Sequence, residues 1–247
     1  MAGTELLLVD VYPALSMPQA DGGNLRVLEA RARARGIPAR TFVVQPGDPL
    51  PTAHLYQVAG AEDEDLPELA RRLREDGALG RAVEAGAVLL AIDVGFQVAG
   101  ERFAAPDGTT HPGLGLLDAR SGLGSFVEGP VVGAADPGLG LPDLVGYESH
   151  AGRTELGPGL RPLATLEAGT GNGGTPATDG ALDDRIVATY LHGPLLAWNP
   201  GLADHLLALA IGSDLPPMPL EDPTFIDAVR ATRSAQARAA TGAGGSR

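Results

Sequence analysis

Asp93 and His192 are the residues whose types and positions could do chemistry. Asp93 sits in AVLLAIDVGFQVAG (residues 87–100), where an apolar run from Val88 to Ile92 breaks at Asp93-Val94-Gly95 before an amphipathic segment. That pattern predicts a strand, a sharp turn and a helix start. Such a turn lifts one side chain to the carboxyl end of a strand, at the mouth of a helix whose N–H groups favour developing negative charge. Acyl transfer at an elbow of this kind needs a Ser or Cys that attacks a carbonyl and later leaves. Aspartate does that job badly. His192 follows the β-branched run Arg185–Leu191 and precedes Gly193-Pro194, again at a strand carboxyl end. An imidazole there has the position of a general base for a neighbouring nucleophile, or equally of a loop cap.

The elements that must position these two residues follow from hydrophobic periodicity. Glu5–Tyr12 has the length and apolar content of a first strand, and Asn24–Arg35, with Leu25 and Leu28 on one side, reads as a helix ended by Gly36. Ile37–Val44 and Leu55–Val58 read as strands. Glu62–Asp65 opens a helix that runs to about Ala85, with Leu66, Leu69, Leu73 and Val83 near helical spacing. Strands separated by helices, with a fully apolar strand before the elbow, predict an α/β fold with a mainly parallel central sheet flanked by helices. Ligands of such sheets gather at strand carboxyl ends. Beyond Gly108 short apolar pieces (Leu114–Leu117, Phe126–Val132, Leu144–Tyr147, Leu163–Leu166) alternate with Gly/Pro clusters, which predicts a β-rich second half. Leu202–Ile211 and Pro223–Ala240 read as helices, and Thr241–Arg247 as a frayed tail. The expected division is one domain over 1–212, followed by a C-terminal helix and tail over 213–247.

Composition removes whole classes of chemistry. With no cysteine and no lysine, the chain lacks thiolate nucleophiles, thiolate metal sites, a Walker A lysine, a Schiff base and a Ser-Lys dyad. Any ATP chemistry must sit on a partner. A net charge of −13 argues against nucleic acid, since phosphate binding needs a basic footprint. No apolar run approaches the roughly 20 residues that span a bilayer, and the N-terminus lacks a basic n-region, so a cytoplasmic protein is expected, with no membrane partner. None of the five histidines forms H-x-x-x-H, and no metal or cofactor is expected. His54 and His205 read as solvated or satisfied imidazoles. Gly169–Gly174 matches G-x-G-x-x-G, but no helix pattern follows and Pro176 comes soon after, which argues against dinucleotide binding.

The elbow AIDVGFQVAG resembles the A-I-C-G-G-Y-Q-x-x-G pattern of class I glutamine amidotransferases of the cobyric-acid-synthase-like branch, whose fold is flavodoxin-like. Three further stretches support the resemblance. Gly146–Thr154 (GYESHAGRT) is similar to G-F-E-N-H-G-G-R-T, Gly171-Asn172-Gly173 to a glycine/asparagine loop, and Thr189–Leu196 (TYLHGPLL) to T-Y-L-H-G-P-L-L. Order and spacing agree over roughly residues 5–210. Within the branch the chain is most similar to GatD-type subunits, which pair with a MurT-like, Mur-ligase-family ATP enzyme in amidating lipid II.

The resemblance implies glutamine hydrolysis, with an elbow cysteine as nucleophile and ammonia passed to the ligase. It places His192 at the base position, Gln97 at the elbow glutamine and Asp93 at the nucleophile. Four positions depart from the family. Besides Asp93, Val94 replaces the second elbow glycine, Val58-Ala59-Gly60 stands for the oxyanion-loop glycines, and Ser125 stands for an arginine implicated in holding substrate. The glutamate usually found two residues beyond the histidine is replaced by Pro194, which leaves Asp21, in the loop after the first strand, as a candidate for orienting His192. Three functions remain open: a pseudo-glutaminase that supports a MurT-like ligase, with Asp93 ion-paired to His192 or accepting helix N–H bonds, an active glutaminase with an unconventional Asp93/His192 site, and a pocket that binds or hydrolyses another small amide or acid in place of glutamine. His150 and Arg153 could be a structural polar cluster that braces the β-rich half onto the sheet.

Overall fold

A computed structural model describes residues 5–13, 21–59, 65–219 and 223–244. In chain order the elements begin β1 (Leu6–Val11), α1 (Gly22–Ala34), β2 (Ala39–Val44), β3 (Leu55–Val58), α2 (Leu66–Asp76), α3 (Ala78–Glu84), β4 (Val88–Ile92) and α4 (Val94–Ala99). The β-rich half follows with β5 (Arg102–Ala104), β6 (Thr110–Pro112), β7 (Ala119–Ala135), β8 (Leu144–Leu156), β9 (Ala164–Ala168), β10 (Thr178–Asp179) and β11 (Ala181–Leu182). The chain then returns as β12 (Ile186–Thr189) and ends with α5 (Leu195–Trp198), α6 (Pro200–Ile211) and α7 (Pro223–Gly244).

The central sheet has the order β11-β12-β4-β3-β1-β2 and is parallel except for the edge strand β11. Alternation along each strand feeds two cores. Val9 and Leu89 face a layer containing Leu69 and Leu73 of α2 and Phe96 of α4, while Leu8 and Leu90 face Leu25 and Leu28 of α1 and Leu202 and Leu206 of α6. Because both faces are covered, β4 is buried along its whole length. This places Asp93, directly after β4, between the ends of β3 and β12.

Two local expectations are corrected. The helix expected to run unbroken to Ala85 is two helices, α2 and α3, because Gly77 adopts φ 64°, a left-handed conformation that ends α2 and starts α3. Its expected start at Glu62–Glu64 lies outside the described residues. The short pieces of the second half belong to much longer strands: β7 spans 17 residues and β8 spans 13, paired antiparallel, and Leu114–Leu117 is not a strand. Gly122, Gly124, Gly129 and Pro130, which look like turn residues, lie inside β7, where a bulge between Leu123 and Val127 shifts the register. β7 is the centre of the second sheet, flanked by β8, β9 and the small hairpin of β5 and β6.

The C-terminal helix α7 lies on that second sheet. Ala237 is buried with Val132, Val145 and Ala168, and the Arg233 guanidinium stands 3.4 Å from the centroid of the Trp198 ring. Arg230 donates to the Trp198 carbonyl at 2.8 Å and to Asn199 Oδ1 at 2.9 Å.

Gly95 fixes how closely α4 approaches β3. A Cβ there would stand 2.0 Å from the Val58 carbonyl oxygen, and the obstacle is backbone. Gly95→Ala is expected to destabilise the chain by about 3 kcal/mol or more, read as a lowered urea midpoint. An unchanged midpoint would contradict this packing.

Candidate active site

Asp93 has φ 53° and ψ −112°, a conformation that L-residues avoid. The strain is held from both sides. The Asp93 N–H donates to the Thr189 carbonyl at 2.8 Å, and its own carbonyl accepts from Gln97 N at 3.1 Å. Its side chain does not cap α4, so of the two roles expected for a non-catalytic Asp93, helix capping is not realised.

His192 enters from the other side. Its backbone N–H donates to the Tyr147 carbonyl at 2.8 Å, which fixes the residue between β12 and β8. Nδ1 lies 3.0 Å from Asp21 Oδ2, and Nε2 lies 3.6 Å from Asp93 Oδ2. With a carboxylate on Nδ1, the proton belongs on that nitrogen, leaving Nε2 aimed at Asp93. Asp21, Asp93 and His192 are 2%, 7% and 4% exposed, so the three form a nearly dry acid–imidazole–acid line. Burial pulls the His192 pKa down, but the hydrogen bond to Asp21 and the charges of Asp93 and Asp21 outweigh it, so the imidazole titrates above its ordinary value. Gln57 supports Asp21 from beneath: its Nε2 donates to the Asp21 carbonyl and to Asp10 Oδ1, each at 3.2 Å.

The remaining expected pocket residues divide. Ala59 is buried directly after β3, and Val94 and Gln97 are buried in the first turn and body of α4. Ser125 lies instead on the exposed bulge of β7, where its carbonyl accepts from Arg153 Nη2 at 2.8 Å. Gly60 lies outside the described residues.

A second polar cluster adjoins the first, and most of it has no sequence signature. His150 stacks on Tyr190 with ring centroids 4.0 Å apart and places Nε2 3.5 Å from Glu148. Burial pushes the Glu148 pKa up, but His150 and the N–H groups of Gly171 and Thr170 overcome it and hold the carboxylate below its ordinary value. The Gly169–Gly174 loop therefore uses its amides on its own chain, and the strand β10 follows it. The cluster also includes Asp179, fully buried and pushed up to about 6 by that burial, which accepts from Thr189 Oγ1 and Tyr190 N. Tyr190 OH and Ser121 Oγ both meet Thr154 Oγ1, at 2.7 and 2.8 Å. The bracing expected of His150 is realised by its stack on Tyr190, just beyond β12, whereas the Arg153 guanidinium bonds within the second sheet, to the Gly152 and Ser125 carbonyls. Only the proximity of Glu148 to His150 in GYESHAGRT could have hinted at the pair.

A cavity of about 1380 Å³ opens on the second sheet among Arg102, Arg120, Arg153 and Gly173 and not over Asp93. His54 Nδ1 accepts the Leu7 N–H at 3.0 Å, a satisfied structural imidazole. Among the described residues no group of three His, Asp or Glu side chains could hold a metal ion, and no helix is long and apolar enough to cross a membrane.

The CobB/CobQ-like glutamine amidotransferase domain matches residues 11–200. The chain belongs to that family. It is 30% identical over 195 residues to the GatD subunit of the glutamine-hydrolysing lipid II isoglutaminyl synthase of Staphylococcus aureus, covering 77% of this chain and 78% of the relative. The corresponding subunit of Streptococcus pneumoniae is 26% identical, with 84% and 81% covered. A cobyric acid synthase of Rhodobacter capsulatus is 36% identical over 69% of this chain, which spans only 35% of that longer protein. A glutamine amidotransferase crystal structure from Thermotoga maritima superposes with a TM-score of 0.54 at 14% identity, covering 96% of each chain. Another glutamine amidotransferase crystal structure gives 0.56 at 22% identity, covering 82% of this chain and 98% of the other. Both have the flavodoxin-like fold of class I amidotransferases.

The raised pKa of His192 has a stability consequence. A histidine whose folded pKa lies above its unfolded value of about 6.5 contributes stability fully below pH 6.5 and loses it as pH rises through the folded value. Asp21→Asn is expected to cost about 3 kcal/mol at pH 6, with the gap to the parent chain narrowing toward pH 9 in paired urea titrations. A gap independent of pH would contradict the assignment.

Proposed function

We propose that this chain is a GatD-like subunit that has given up glutamine hydrolysis and serves as the binding partner of a MurT-like, ATP-dependent ligase of the Mur-ligase family. The carrying observation is the carboxylate at the elbow, with Asp93 Oδ2 3.6 Å from His192 Nε2 in a buried site. An anion where a thiolate nucleophile would stand both repels the oxyanion of an amide-hydrolysis intermediate and lacks the nucleophilicity to form it. Val94, Ala59 and Ser125 depart from the family at the positions that would hold that oxyanion and the substrate, which supports relaxation of the same function. The similarity to GatD subunits over most of both chains supports retention of the fold and of a partner surface. In this reading residues 1–212 form the amidotransferase-like domain, 213–247 add the terminal helix and tail, and the protein works in the cytoplasm on peptidoglycan precursors. The ligase then takes free ammonia or another amine.

The purified chain, alone and mixed with a Mur-ligase-like partner, is expected to release no glutamate from glutamine above the Asp93→Ala background, while co-purifying with that ligase in a stable complex. Turnover abolished by Asp93→Ala would overturn the loss of activity and establish the alternative, an amidotransferase with an aspartate nucleophile.

A further inference from the structure

The cavity on the second sheet has no part in the elbow chemistry, and strand pairing sets the spacing of its arginines. Arg102 of β5 pairs with Arg120 of β7, and laterally paired residues share a face of the sheet. Arg120 also pairs with Glu155 of β8, so Arg153, two residues back along β8, lies on that face at a diagonal distance of about 7–8 Å. Phe103, Ser121 and Thr154 point the other way and are buried. Like charges side by side on a sheet repel, yet these stand together in a chain of net charge −13. Arg120 is ion-paired with Glu101 at 2.7 Å. Arg153 donates to the Gly152 and Ser125 carbonyls, at 2.7 and 2.8 Å, and has no carboxylate partner among the described residues. Its stem is held between two glycines, since a Cβ on Gly124 or on Gly173 would stand 2.9 Å from it. Arg102 is exposed and makes no hydrogen bond or ion pair among the described residues. Two guanidinium charges therefore lack a counter-ion at a cavity where Glu155 is the opposing carboxylate of the lining.

We propose that this cavity binds a sugar phosphate, with the phosphate set over Arg120 between Arg102 and Arg153. A phosphate monoester carries a charge of about −1.5 to −2 at pH 7, which matches the two uncompensated guanidiniums. Their planar forks donate to phosphate oxygens in pairs. A volume of about 1380 Å³ is far more than one oxyanion fills, so the phosphate must bring a body with it. The rest of the lining defines that body. Thr110, Thr170 and Thr178 are polar and uncharged, Leu123 and Leu160 add apolar surface, and among the described residues no aromatic side chain lines the cavity to stack on a base. A sugar, with hydroxyls at its rim and C–H groups on its faces, meets both kinds of wall, whereas a nucleotide would leave its base without a partner.

Isothermal titration calorimetry of the full chain at low salt is expected to show one glucose 6-phosphate bound per chain, with inorganic phosphate and glutarate binding more weakly and glucose not at all. Arg102→Gln removes a side chain that makes no polar contact in the fold, so its thermal midpoint is expected to match the parent while the dissociation constant rises about tenfold or more. Gly122 supplies a second variant. It pairs with Arg153 on the arginine face, its backbone is not left-handed, and a Cβ there would meet nothing within 4 Å. Gly122→Val therefore fills the cavity without disturbing its neighbours and is expected to abolish binding. Absence of glucose 6-phosphate binding to the parent chain, binding no tighter than that of inorganic phosphate or glutarate, or binding retained in both folded variants would overturn the proposal. None of these measurements reads glutamine hydrolysis or ligase binding, so its failure and that of the pseudo-glutaminase reading are distinguishable.

Discussion

The contact between Gly95 and the Val58 carbonyl, closer than any side chain would permit, is the constraint on which the site depends. It lets α4 start directly against the end of β3, so the chain must reverse within one residue after β4. That residue is Asp93, and its left-handed conformation follows from the reversal. The neighbours of β4 then determine what surrounds the carboxylate. β12 delivers His192 and β3 delivers Ala59, while β1 leads through residues outside those described to Asp21 and α1.

Two buried imidazoles each sit against buried carboxylates. His192 lies between Asp21 and Asp93, and His150 beside Glu148. Removing one member of a buried pair leaves an uncompensated charge in low dielectric, so each group stabilises its partner mainly by being present. Asp179 differs: burial raises it to about 6, and its oxygens are met by the Thr189 hydroxyl and the Tyr190 N–H, which are neutral donors.

The parallel half of the fold was legible because its signals are local. Val88–Ile92, the strand before the elbow, is a continuous apolar run buried along its length that ends at Asp93, and Leu55–Val58 is a short buried strand interrupted only by Gln57. β7 and β8 were not, since a long bulged strand tolerates the glycines and proline that elsewhere mark turns. The elbow and His192 could be recognised from strand-end position, but the Asp21 bond joins residues 171 apart, a closure that depends on strand order and on no local pattern. Asp179 and Thr189 escaped for the same reason. Their pairing arises only because β11 turns back onto β12.

His192 is tied to both sheets. By chain it extends β12 of the central sheet, as Asp93 extends β4, yet its backbone N–H is bonded to Tyr147 in the second sheet. The gap between Nε2 and Asp93 therefore measures how the two sheets are seated against each other. A small shear along that seam would lengthen or close the 3.6 Å spacing without breaking a hydrogen bond within either sheet.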